Sequence, residues 1–170
     1  MHTIWPRLGI VLSIACAPSE KPSDTDDNVP CEGSDTVSVQ LGTGASSDFY
    51  PLEPHDSVTL DAAPQGGFGV SIRALTTGLK ADDVVDVLLK SEIGGAQTGE
   101  FLSEGVQLFC QEDGHGMVWG VVVGFDPDIF PDPDALLAID GETADLIVEI
   151  TDANNETASA TVPVTIEAGG

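Results

Sequence analysis

Along residues 68–75 apolar positions alternate with polar or small ones: Phe68, Val70, Ile72 and Ala74 fall on one phase, Gly69, Ser71 and Arg73 on the other. Successive side chains of a strand point to opposite faces, so a period of two with one apolar phase predicts a half-buried β-strand. Gln65-Gly66-Gly67 before it permits a tight turn, and Thr77-Gly78 marks its end. The alternation recurs upstream. Val37, Val39 and Leu41 give an inward face to a strand over residues 36–41, ended by Gly42-Thr43-Gly44, and Val58 and Leu60 do the same over residues 57–61 after the turn Pro54-His55-Asp56.

Residues 84–89 are rich in β-branched side chains and lie between glycine-bearing loops, which favours a strand over a helix. Residues 106–110 come next, with Cys110 in phase with Val106 and Leu108 on an inward face. Beyond the turn Glu112-Asp113-Gly114, residues 117–125 are the most apolar run after the leader. Their bulk falls on Met117, Trp119, Val121, Val123 and Phe125, which predicts a central strand; Trp119 and Phe125 read as core, a ligand slot being the alternative. A proline-broken loop over residues 126–134 leads to Leu136-Leu137-Ala138-Ile139 and the turn pair Asp140-Gly141. Residues 146–151 and 158–166 alternate about the turn Asp152-Ala153-Asn154-Asn155 and predict a hairpin, with Ala160, Val162, Val164 and Ile166 inward. Pro163 lacks an N–H, so its strand should be an edge there.

Seven or eight short strands with no long helical period describe an all-β fold, an antiparallel β-sandwich or small barrel. The phrase Asp140-Gly141-x4-Leu146-Ile147-Val148-Glu149-Ile150-Thr151-Asp152-Ala153-Asn154-Asn155-x4-Ala160-Thr161-Val162-x-Val164 resembles the last two strands of immunoglobulin-like modules of bacterial envelope proteins. Pro64-Gln65-Gly66-Gly67-Phe68 is similar to a pattern in acidic bacterial lipoproteins of unassigned function. These resemblances imply an immunoglobulin-like antiparallel β-sandwich over residues 36–168 and bring no activity with them.

Residues 1–16, MHTIWPRLGIVLSIAC, place Arg7 before a short apolar segment and the small residue Ala15 before Cys16. That order is a secretory signal, too short to span a bilayer. It resembles a bacterial lipoprotein signal, which implies a signal peptide over residues 1–15 and a lipidated Cys16 anchoring the chain in the cell envelope. Ala17 and Pro18 carry no aspartate, and by the same resemblance the outer membrane is the expected destination. An ordinary cut after Ala15 or Ala17, giving a freely secreted protein, is the alternative. Residues 16–35 are rich in Pro, Ser and Asp and read as a disordered acidic tether, with Asp24, Asp26 and Asp27 a solvated spacer.

Twenty-nine acidic residues against five basic ones give a formal charge of −24, which repels phosphate backbones and excludes nucleic acid as a partner. Of three cysteines, lipidation of Cys16 leaves Cys31 and Cys110 as an even pair, expected to close a disulfide in an oxidising compartment; two separate buried thiols are the alternative.

Asp126, Asp128, Asp132 and Asp134 lie within nine residues stiffened by three prolines, and calcium is the metal that such oxygen ligands would suit. A solvated acidic loop is the plainer reading, since the EF-hand order is missing. His55 and His115 have no nucleophile motif beside them, and Glu100 and Glu104 read as surface charges rather than a glycosidase dyad. Asn155-Glu156-Thr157 matches a glycosylation acceptor, a chance match in a chain with a bacterial leader. Phe49, Tyr50 and Leu52 form a patch for an envelope or surface protein partner. Together these readings describe a non-enzymatic, lipid-anchored envelope module with a structural or binding role, without catalytic residues or a cofactor. A calcium-dependent adhesion module and a small secreted hydrolase or accessory domain are the alternatives.

Overall fold

The computed structural model describes residues 36–45, 48–62, 67–79, 84–111 and 114–168. In chain order its elements are β1 (Ser38–Thr43), β2 (Tyr50–Pro51), β3 (Ser57–Thr59), β4 (Asp61–Ala62), β5 (Phe68–Thr77), β6 (Val84–Ile93), β7 (Ala96–Gln107), β8 (Phe109–Cys110), β9 (Gly116–Phe125), the short helix α1 (Pro133–Leu137), β10 (Thr143–Thr151) and β11 (Thr157–Glu167). The fold is all-β. One sheet runs β2-β1-β5-β9-β8, with β4 also on β5, and the other runs β3-β11-β10-β6-β7. Every pairing is antiparallel except β3 with β11. Among the described residues no helix is long and apolar enough to cross a membrane.

The alternation read from the sequence builds the core. Val70, Ile72 and Ala74 of β5 face Leu146, Val148 and Ile150 of β10 and Val164 and Ile166 of β11 across a shared interior, and Val87 and Leu89 of β6 complete it. The period-two hairpin of β10 and β11 is continuous from Thr143↔Thr165 to Thr151↔Thr157. Pro163 stands before β3 joins the outer edge of β11 at Thr165, so the missing N–H breaks no ladder bond.

Five expectations are corrected, each at a point where the chain changes sheet or phase. The strand expected over residues 57–61 divides at Leu60: β3 joins one sheet, β4 the other, and Val58 and Leu60 both enter the core. The strand expected over residues 106–110 divides at buried Leu108, where the chain passes from β7 to β8 on the opposite sheet. That passage resets the phase and leaves Cys110 exposed rather than inward. Leu52, expected on the surface, is 8% exposed and belongs to the core, because Leu52 N–H donates to Leu41 O and draws it inward. Most of β7 has no counterpart among the expected strands.

The fifth correction concerns β9. Ile72 pairs with Val121 and Ala74 with Val118, so Trp119 and Gly120 together oppose Arg73 in a β-bulge, with Gly120 at φ 66. The extra residue reverses the phase below the bulge. Val118 therefore joins Val121, Val123 and Phe125 in the core, and Trp119, expected there, turns to the outer face of its sheet and is half-buried.

Candidate functional site

Between the edges of the two sheets lies a slot of about 460 Å³, walled by β7 on one side and β9 on the other. Buried Leu89, Val121 and Phe125 form its apolar floor, and Phe68, Phe101 and Pro127 stand along its rim. Glu100 and Asp126 also belong to its lining, Glu100 on the opposite phase of β7 from Phe101, with its carboxylate toward Lys90.

The local sequence makes this opening. Ile93-Gly94-Gly95-Ala96 is a two-residue hairpin with φ 59 and 78 at the glycines, the left-handed pair that matches the twist of the strands it joins. It folds β7 back along β6. A register shift between Ser91 and Glu92 leaves Thr98 as an extra residue on β7. Thr98 Oγ1 donates to Ser91 Oγ (3.1 Å), Ser91 Oγ donates to Gly124 O (2.9 Å), and Asp126 N–H donates to Thr98 O (2.7 Å). Ser91 and Thr98 are buried, so this network ties β6, β7 and β9 together and closes one end of the slot. Gly99 allows the approach: a methyl there would run into the carbonyl of Gly124. From that end the strands diverge, and β8 pairs with β9 only at Met117 and Gly116. Among the described residues no other strand lies along this edge of β9.

On the outer face of the same sheet the β9 bulge assembles an aromatic–cation pair. The Arg73 guanidinium lies 4.7 Å from the Trp119 ring centroid, and Arg73 Nη1 donates to Asp48 O (3.0 Å). Phe109, 48% exposed, makes a tilted contact with Trp119 at 5.6 Å. Arg73 is only 9% exposed, so the indole takes the place of water over its charge.

The acidic residues singled out from the sequence hold the backbone. Asp126 Oδ1 accepts from Asp128 N–H (2.8 Å), and Asp132 Oδ1 accepts from Ala135 N–H (3.0 Å) as the N-cap of α1. Asp128 and Asp134 are exposed, and Phe130 turns inward to meet Phe125 edge-on at 5.7 Å. Among the described residues no three His, Cys, Asp or Glu side chains form a metal-holding group. His55 is exposed at φ 72 in the turn before β3, where its N–H donates to Pro163 O (2.6 Å). His115 sits in the turn between β8 and β9, its carbonyl accepting from Gln111 N–H. Glu100 pairs across the strands with Lys90 at 3.6 Å, and Glu104 is exposed beside the β7 bulge at Gly105.

Of the aromatic patch only Tyr50 is open, at 60% exposure; the Phe49 ring lies over Gly42. Cys110 lies exposed on β8, and both other cysteines, Cys16 and Cys31, lie outside the described residues, as do the leader and the tether. Of the pair for which a ligand slot is the alternative to core, Phe125 lines this opening and Trp119 does not; the β7 wall has no apolar pattern in the sequence. Two signals pointed to the opening: the Gly94-Gly95 pair, which marks a hairpin, and the glycines inside β7 and β9, which mark bulges and close backbone approach. No protein-family model matches the chain, and no curated protein matches it.

Proposed function

We propose that this chain is a non-enzymatic lipoprotein of the cell envelope, anchored by an acylated Cys16 in the outer membrane, with residues 16–35 as tether and an immunoglobulin-like sandwich as binding module. The observation that carries the binding role is the slot, an opening with an apolar floor between two strand edges. Pockets with apolar walls and a few placed polar groups are the usual setting for ligands.

Strand order supports the immunoglobulin-like reading. In such domains the sheets hold strands ABED and CFG. Here β1-β5-β9-β8 follows the first order and β11-β10-β6 the reverse of the second, with β7 as the added edge and β3 parallel to β11. Pairing of Cys31 with Cys110 is part of the proposal: it would fasten the end of the tether to β8. Multiple acylation at one cysteine gives the stable anchoring that a single chain does not.

The test is the intact mass of the mature protein extracted from membranes, with and without reductant. A diacyl- or triacylglycerol-sized addition on Cys16 and a two-proton gain on reduction are expected. An unmodified, soluble product beginning beyond Cys16 would overturn the lipoprotein reading.

A further inference from the structure

We infer that the slot takes an extended, cationic peptide segment as an added strand along β9, an inference that rests on the binding-module reading above. The backbone sets the class of occupant. Ser91 Oγ donates to Gly124 O from the β6 side, so Gly124 turns its peptide groups away from β5. Peptide groups alternate in direction along a strand, which gives Val122 the same orientation. Among the described residues, β8 covers this edge only at Gly116 and Met117, so the N–H and C=O of Val122 face the slot. Their natural complement is another extended backbone.

Shape sets the side chains. An added strand points alternate residues to opposite faces, one row toward the floor at Leu89 and Val121, the other toward solvent. Small apolar residues suit the first row. Between Val118 and Gly124 the edge has room for a segment of roughly five to seven residues at ~3.3 Å each.

Charge sets the second row and excludes a second copy of this chain. Asp126 stands at the opening, Glu100 is balanced by Lys90, and the chain as a whole carries a formal charge of −24. Like-charged copies repel as they approach edge to edge, whereas a strand carrying lysine or arginine is drawn in. Phe101, 43% exposed on the rim and on the same face as Leu89, offers its ring to the stem or head of such a cation.

The experiment titrates the full chain with a capped decapeptide of alternating valine and lysine. Two comparison peptides are used: one with glutamate for lysine, and one fully N-methylated, which keeps the side chains but has no backbone donors. Saturable binding of the valine–lysine peptide is expected, weakened about tenfold or more on going from low to high salt. The glutamate and N-methylated peptides should bind at least about tenfold more weakly. Phe101→Ala, at an exposed position, should weaken binding about threefold or more without lowering the melting temperature. Equal binding of all three peptides would overturn the cationic-strand inference and leave the binding-module reading standing. Failure of all three would overturn both for this slot. Binding unaffected by Phe101→Ala and by salt would place the peptide elsewhere and overturn the inference.

Discussion

Gly120 adopts φ 66 at the point where β9 carries two residues against Arg73 of β5. A side chain in that conformation brings its Cβ against the following carbonyl, at a cost of about 1–2 kcal/mol. No neighbouring atom lies within 4 Å of a Cβ built there, so backbone conformation alone opposes a substitution. Gly120→Ala is therefore expected to lower the urea midpoint by an amount equivalent to about 1–2 kcal/mol, with the slope of the transition unchanged. The same glycine explains why Trp119 could not be placed from the sequence. Strict alternation from Met117 to Phe125 puts the indole in the core, and one inserted residue puts it over Arg73 instead. A glycine inside an apolar strand was the visible sign of the bulge, but its effect on phase depends on the partner strand, which the local pattern does not contain.

At the scale of elements, legibility followed continuity of the alternation. β5, β10 and β11 bury one face along their length, and their apolar positions could be read residue by residue. β7 could not. Both of its faces are largely exposed between Glu100 and Gly105, glycines interrupt it at Gly99 and Gly105, and no apolar phase remains to count. Its position follows from the hairpin at Gly94-Gly95 rather than from burial. That turn gives a pair of opposed predictions. Gly94→Asn, which keeps the favoured Asn-Gly sequence of this turn type, should leave stability within about 0.5 kcal/mol. Gly95→Val forces a β-branched residue to φ 78 and should cost about 2 kcal/mol, with loss of order at the closed end of the slot. Thermal unfolding of the two variants side by side checks both. Cys110 shows the limit of element reading in another way: the phase counted through Val106 and Leu108 ends where the chain crosses between sheets.

For the whole molecule, the all-β class was legible because it sums many local alternations, while the slot was not. It is made by the edges of two strands that diverge from one buried network, Ser91, Thr98, Gly124 and Asp126, and nothing in any single stretch records that meeting. Acidic loop residues illustrate the converse. Asp126 and Asp132, which by composition fit a solvated loop or, less plainly, a calcium site, cap a turn and a short helix by geometry. The strong negative charge acts on the whole molecule: like-charged copies repel one another, which opposes edge-to-edge pairing.

Amide hydrogen exchange along β9 in the full chain tests the open edge most directly. Val121 and Val123, whose peptide groups face β5, should exchange slowly, and Val122, whose groups face the slot, should exchange markedly faster. Addition of the valine–lysine decapeptide should slow Val122 toward its neighbours. Uniform slow exchange from Val121 to Gly124 in the absence of peptide would contradict the account, because the edge would then already be covered.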